Sequence, residues 1–516
     1  MKNIKFNLKT VMGILVAVFF ILVCASFILS TYLERKVKQL DVPGFTLNVK
    51  TVKIKLLKQQ VSLNEIELRD SLRLLNLNIK RIEIRDIHFF ALLFKGNIGI
   101  DNLILQKPHI RIDTALFKSN LKGSSYTDNR TIDIASLKIR NATLLLVSSD
   151  TLMADTLYYT GFNININKLK QNGQPNTFSY QSTSFNRLQF SLQNGVFNFG
   201  KGLYAIKYNN LAYDSDKMKL NVDELNLLSL YSKYEMGRTT GFETDWFDFT
   251  FKDLELNTIR LKSLLSNTAL VFSEGRIGNF QGEAFKDKRL PLPQKPDNKL
   301  PMTMLNALPI GLHCDSFFID QAHIIYSERV DASDKAGTIY FKDLSARINH
   351  ASTIDSLITK PTTMQAQARV MGEALLQADF NFPNKEYPKP YRAKGQMGSM
   401  PVRSFNPIIK QNAFVEANQG NIKNMAFDFT YNNDSSGGSL VFEYDDLKIS
   451  ILDKDDFSKK GVTSFIVNSF AVHNENLKNS KEFREGTIAF ERNKKRSIFN
   501  YWWKSVLSGL KTIAIF

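Results

Sequence analysis

The segment Leu137-Lys-Ile-Arg-Asn-Ala-Thr-Leu-Leu-Leu146 alternates, and then its alternation slips by one residue. Apolar side chains occupy odd positions up to Ile139 and even positions from Leu144 onward. Period two is the mark of a half-buried strand. A change of parity inside such a strand would throw its second half onto the opposite face. One residue must therefore be absorbed at Asn141-Ala142. A two-residue hairpin with Ile139 opposite Leu144 would absorb it, and so would a β-bulge that bends one long strand.

The same slip recurs along the chain. Phe190, Leu192, Phe197 and Phe199 flank Asn194-Gly195, and Phe317, Ile319, Ile324 and Tyr326 flank Gln321-Ala322. Looser copies run from Leu103 to Ile112 around Lys107-Pro108 and from Val415 to Ile422 around Gln419-Gly420. Proline fits poorly at the second central position of the usual hairpin turns, so Pro108 favours the bulge. Bulges repeated on successive strands fold a sheet along a line and make a trough. A second repeat relates 82–100 to 254–272 at a constant offset, 254 − 82 = 172, matching Ile82, Ile84, Ile87, Leu92, Leu93, Ile98 and Ile100 with Leu254, Leu256, Ile259, Leu264, Leu265, Leu270 and Phe272.

The 516 residues are 43% hydrophobic and 23% charged, with 39 Phe and 2 Cys, which excludes bulk disorder and a disulfide scaffold. The net charge of +17 gathers at the ends: residues 1–60 hold ten Lys or Arg against two acids, and 492–516 hold six against none. A nucleic-acid binder is expected to carry its basic stripe on the folded body, so no nucleic-acid partner is predicted. Thr10 to Leu33 is free of charge and long enough, at about 1.5 Å per residue, to cross the roughly 30 Å of a bilayer core. It reads as a transmembrane helix, because a cleaved signal peptide has a shorter apolar core. Lys2, Lys5 and Lys9 flank one side and Arg35, Lys36 and Lys38 the other, so charge does not orient it. A long downstream domain is expected to be translocated.

This gives an N-terminal cytoplasmic segment at 1–9, the anchor at 10–33, a linker at 34–48, a β region at 49–285, a Pro-rich connection at 286–310, a second β region at 311–485 and a basic amphipathic helix at 486–516. The predicted class is mainly β: an elongated, curled antiparallel sheet with short helices. Its apolar face must be covered by helices, a second sheet or a ligand. A closed sandwich and an open groove that takes lipid chains both satisfy that need. In the groove reading the lining is Leu137, Ile139, Leu144, Leu146, Phe190, Leu192, Phe197, Phe199, Phe317, Ile319, Ile324 and Tyr326.

At the C-terminus Arg492, Lys494, Lys495 and Arg496 precede Phe499, Trp502, Trp503, Val506, Leu510 and Ile513, which share one helical face. Such a helix suits an anionic membrane surface, or it caps the last strand with its apolar face buried in protein. No nucleotide-binding, nucleophile-elbow or zinc-protease motif is present, and no catalytic residue, metal or cofactor is predicted. On a strand His313 and Asp315 share one face and Cys314 takes the other, so the three cannot converge as ligands. Asp453, Asp455 and Asp456 read as a solvated turn.

Taken in order, the anchor, Val49-x-x-Val52-x-Ile54, the stretch Ile100-Asp-Asn-Leu103-x-Leu105-x-Lys107-Pro108-x-Ile110 and the segment Gly438-Ser-Leu440-x-Phe442-x-Tyr444-x-Asp446-Leu447-Lys448-Ile449 resemble the AsmA-like family of Gram-negative bacteria, relatives of the bridge-like lipid transfer proteins. The resemblance implies a single-pass inner-membrane protein whose bulk lies in the periplasm. Its β-groove would bind phospholipid or another acyl-chain lipid and support lipid transfer to the outer membrane or outer-membrane assembly. The other reading is a membrane-tethered β scaffold that binds envelope proteins and carries no lipid.

Overall fold

The computed structural model describes residues 8–40, 44–87, 98–113, 115, 132–147, 157–171, 183–261, 263, 268–294, 296–453 and 473–514. It is mainly β: one open sheet, preceded by an apolar helix and followed by a second helix. The chain divides into two compact units, Met1–Asn221 and Val222–Phe516. The predicted Pro-rich connection at 286–310 runs inside the second of these.

The first unit opens with α1 (Leu8–Lys38) and continues through β1 (Phe45–Lys55), β2 (Gln60–Asp70), β3 (Leu75–Ile87), β4 (Ile98–Asp113), β5 (Ile132–Val147), β6 (Leu157–Gln171), the two-residue β7 (Thr183–Ser184), β8 (Arg187–Phe199) and β9 (Tyr204–Asp214). Part of α1, Val18–Lys38, is long and apolar enough to cross a membrane. Its last turns lie along β1. Ser26 Oγ, Ser30 Oγ and Glu34 Oε2 accept the backbone N–H groups of Leu56, Ile54 and Val52 at 3.1, 2.7 and 3.2 Å. Spacing of four puts these three side chains on one helical face. They satisfy donors that an edge strand would otherwise leave open.

The parity slip of the sequence is a bulge, and the hairpin alternative is set aside. β5 runs unbroken from Ile132 to Val147, and its pairing with β6 shifts on either side of Ala142. Asn141 takes up the extra residue with φ +51°, a left-handed conformation that asparagine tolerates better than most residues. The Asn163 side chain steadies the bend, Oδ1 accepting the Asn141 N–H at 3.0 Å while Nδ2 donates to the Gly161 carbonyl at 2.9 Å. Left-handed residues line up across the unit: Glu65 in β2, Lys107 in β4, Asn141 in β5, Gly161 in β6 and Asn210 in β9. Lys107 and Asn141 are level, between the register pairs Gln106 with Arg140 and His109 with Thr143.

The second unit takes in β10 (Lys219–Ser229) from Val222 onward, α2 (Lys233–Thr240), β11 (Asp245–Asn257), β12 (Ala269–Asp287), α3 (Pro301–Leu305), β13 (Gly311–Arg329), β14 (Gly337–Ser352), β15 (Thr362–Val370), β16 (Ala374–Phe382) and β17 (Tyr391–Met397). The two-residue β18 (Met400–Pro401), α4 (Asn406–Ala413), β19 (Val415–Tyr431), β20 (Ser435–Ile451), β21 (Gly486–Glu491) and α5 (Ile498–Ala514) complete it. The stretch assigned from sequence to one helix, 486–516, is thus a strand followed by a helix. Register shifts recur at Ala322 between β13 and β14 and around Gln419 between β19 and β20, the same places in the motif as Ala142.

Two junctions depart from the expected antiparallel order. β4 pairs with β5, and β12 with β13, in parallel. Parallel neighbours require a crossover of about a dozen residues or more, so the Pro-rich stretch before Gly311 is a crossover. The 172-residue repeat marks the same event twice: Leu103 pairs with Leu137, and its counterpart Gly275 pairs with Phe317, each partner being the first residue of a motif copy. A methyl group on Gly275 would collide with the Phe317 ring at 2.3 Å, so glycine makes room there for the larger motif residue. Leu92, Leu93, Leu264, Leu265, Asp455 and Asp456 lie outside the described residues.

Candidate functional site

Register converts the repeated apolar positions into rows that cross the strands. In the first unit Val52, Leu63, Ile82, Leu105, Ile139, Ile164, Phe190 and Tyr213 are successive partners from β1 to β9. Beside them runs Ile54, Val61, Ile84, Leu103, Leu137, Ile166 and Leu188. Beyond the line of bulges lie Leu47, Leu68, Leu77, Ile110, Leu144 and Tyr159, then Leu75, Ile112, Leu146, Leu157, Phe197 and Ile206. The bulge is what allows Ile139 and Leu144, on opposite parities, to share a face.

At the β1 end this face is covered. Leu33 and Val37 of α1 pack against the buried Val49, Val52, Val61, Ile66 and Ile79. Farther along, no described helix or second sheet packs on β4 to β9. Leu137, Ile139, Leu144, Leu146, Phe190, Leu192 and Phe199 are half-buried there, and Phe197 keeps 37% of its surface exposed. Aromatic rings dominate this end, with Phe190 stacked on Tyr213 at 5.4 Å, Phe197 on Phe199 at 5.8 Å, and Tyr159 beside Tyr208 at 5.7 Å between centroids. On the same strands a concave site of about 670 Å³ is lined by Lys138, Arg140, Asn163, Asn165, Gln189 and Ser191, which alternate with Ile139, Ile164 and Phe190 and so face away from the apolar rows. At its margin Arg187 pairs with Asp214 at 2.8 Å, and that hydrogen bond holds the Asp214 carboxyl down at about 2.

In the second unit one row runs Leu254, Ile277, Ile319, Ala346, Ala366, Ala378, Gly395, Phe427 and Leu440, and another Leu256, Gly275, Phe317, Ile348, Met364, Phe380, Ala393 and Phe429. Ile324 and Tyr326 lie past the bulge, opposite Phe341 and Ile339. Phe317, Ile319, Ile324 and Tyr326 are half-buried. Toward the C-terminal strands the rows are closed by protein. Trp502 of α5 packs against Phe380 in a tilted ring pair at 4.6 Å between centroids, and Tyr501, Val506 and Ile513 are buried with Phe429, Tyr431, Leu440 and Ile488, while Leu510 packs at the margin of the same cluster. The crossover contributes Leu300 and Met302 to that core.

Of the two readings of the C-terminal helix, the packing is that of a cap, and most of its membrane-surface candidates are occupied by protein. Arg492 is buried, donating to Asn433 Oδ1 at 2.7 Å and to the Asn298 carbonyl at 2.6 Å. Lys494 pairs with Asp434 at 2.7 Å, Lys495 with Asp297 at 3.0 Å, and Arg496 with the buried carboxylate of Glu243. Phe499 and Trp503, four residues apart, remain exposed. The physical reason is that the apolar stripe of α5 packs on β20 and β21, where it buries Leu440, Tyr444 and Ile488.

His313 Nε2 lies 3.3 Å from Asp315 Oδ1, and burial pushes the Cys314 thiol up to about 12. Among the described residues no cluster of His, Cys, Asp or Glu could hold a metal ion. Sequence reasoning passed over Ser26, Ser30 and Glu34, although their spacing of four on a helix preceding an edge strand is a usable signal. It also passed over the convergence of Lys288, Lys504 and Lys511, which register and crossover bring together from distant positions. No protein-family model matches the chain, and no curated protein matches it as a relative.

Proposed function

We propose that the protein is a membrane-anchored groove protein of the AsmA-like kind, which holds the acyl chains of phospholipid against its apolar face and supports lipid transfer between inner and outer membranes. The observation that carries this reading is that, among the described residues, no helix or second sheet packs extensively on the rows of β4 to β9, most of whose side chains stay half-buried. A face of Leu, Ile, Phe and Tyr side chains left half-buried costs about 25 cal/mol for every Å² kept in contact with water. A contiguous apolar surface of that kind marks a binding site. Acyl chains suit it because the rows are long, continuous and lack fixed polar partners along their length.

The anchor is placed to serve this role. α1 docks on the very strand where the rows begin, so an apolar path would start beside the span. Native mass spectrometry of the full chain released from membranes in a neutral detergent tests the reading. Phospholipid retained in defined stoichiometry is the expected result. Loss of all lipid under conditions that preserve the fold would favour a lipid-free scaffold that binds envelope proteins.

A further inference from the structure

The second unit contains a cationic pocket that the apolar face does not use. It has a volume of about 390 Å³ and is lined by Lys288 of the crossover, Arg496 at the start of the last segment, and Lys504 and Lys511 of α5, with Asn493 and Asn500 beside them. Lys288 is paired with Glu328 at 2.5 Å and Arg496 with Glu243, so two of the four cations have carboxylate partners. Lys504 and Lys511 have none among the described residues. Two ammonium groups without an ion-pair partner, Lys504 feeling the Glu328 carboxylate only at longer range, therefore line the same concavity as a third ammonium and a guanidinium.

We propose that this pocket is a binding site for a phosphate group, carried by a lipid headgroup or free in solution. Lysine and arginine together supply charge and directed donors, the combination that holds phosphate oxygens best. The side-chain amides of Asn493 and Asn500 add neutral donors at its margin, and Phe490 and Leu507 give it an apolar wall. The space exceeds that of a bare phosphate and leaves room for the rest of a headgroup. Like charges gathered around one concavity repel, and an anion relieves that repulsion. The Lys504 ammonium already registers it: desolvation first, then the proximity of Lys288 and Lys511, lower its pKa, although the residue as a whole is exposed. Exposed Phe499 and Trp503 on the same helix would lie at the interface if the phosphate belongs to a lipid. The site stands whether or not the apolar rows hold acyl chains.

The test uses the full chain in neutral-detergent micelles and reads the rate of lysine acylation, residue by residue, by peptide mass spectrometry. Inorganic phosphate and soluble dihexanoyl phosphatidic acid are the two probes. The expected result is slowing of about tenfold at Lys504 and Lys511 with at least one probe, and no slowing at the exposed Lys201, which does not line the pocket. Protection at lower concentration by the lipid assigns a headgroup site, and equal or better protection by phosphate assigns a free-anion site. Absence of protection by either probe at millimolar concentration, or equal slowing at Lys201, overturns the proposal. The double variant Lys504→Gln, Lys511→Gln should lose binding of the protecting probe while Trp502 fluorescence reports an intact cap. Retained affinity in that folded variant would also overturn it, and wild-type protection decides the question if the variant fails to fold.

Discussion

The Ser30 hydroxyl accepts the backbone N–H of Ile54 at 2.7 Å, joining the apolar helix to the first edge of the sheet. With Ser26 and Glu34 it forms a clasp of three bonds to alternate residues, Val52 and Ile54 of β1 and Leu56 just past its end. Ser30→Ala leaves the Ile54 N–H without a partner, at a cost of about 1–3 kcal/mol if water does not replace it. Hydrogen exchange at Ile54 and Leu56 should accelerate in that variant, with amides of β5 and β6 unchanged. Unaltered exchange at both positions would show that the clasp is dispensable.

A methyl group on Gly486 would come within 2.4 Å of the Gly509 carbonyl oxygen, because α5 lies directly on β21. Gly486→Ala should therefore lift the helix, at about 1–3 kcal/mol as for other overpacked sites. Trp502, now against Phe380, should shift its emission to longer wavelength. An unshifted spectrum and an unchanged melting temperature would contradict the close contact.

Deleting Ile498 to Phe516 uncovers Leu440, Tyr444, Ile488 and Tyr431. Burial of each large apolar side chain contributes about 1.5–3 kcal/mol, so β19 to β21 should lose hydrogen-exchange protection together. A distal contact helix, by contrast, would leave those strands protected. Ile513→Ala, at about 2–5 kcal/mol, gives a milder version of the same test.

Two titrations carry a sign. The Asp214 carboxyl, hydrogen-bonded by Arg187, sits at about 2 in the folded chain against about 3.9 unfolded. Because the folded value is the lower one, its stabilisation is complete above the unfolded value and is lost as pH falls from about 4 to about 2. Asp214→Asn should remove that contribution at neutral pH and flatten the acid limb of the melting curve. Identical acid limbs in the two proteins would contradict the pairing.

For the Cys314 thiol, at about 12, iodoacetamide near pH 8 should label it only after denaturation. Rapid labelling of the native chain would show that it is not buried.

How far the sequence prefigured this fold depends on which physical constraint is asked about. Alternation and its slip at Asn141-Ala142 are local, so the strands and the bulge were legible, and Pro108 chose between bulge and hairpin. The parallel junctions were not, because a crossover is a long-range event, although the repeat of 82–100 at 254–272 ends, at Ile100 and Phe272, on the two strands where it happens. The amphipathic spacing of Phe499 to Ile513 specified a helical face without its partner. Only the apolar strip of β20 and β21 and the carboxylates Glu243, Asp297 and Asp434 disclose that the partner is this chain. The rows themselves required register, which no single strand contains.

The central claim is that lipid covers the rows on β4 to β9, and site-specific photocrosslinking in cells tests it most directly. Probes at Ile139, Phe190 and Phe197 lie on the apolar rows, and a probe at Ser191, next to Phe190 on the same strand, points to the opposite face. Phospholipid adducts are expected at the first three positions and none at Ser191. Absence of lipid at all three, with the protein intact and anchored, would contradict it.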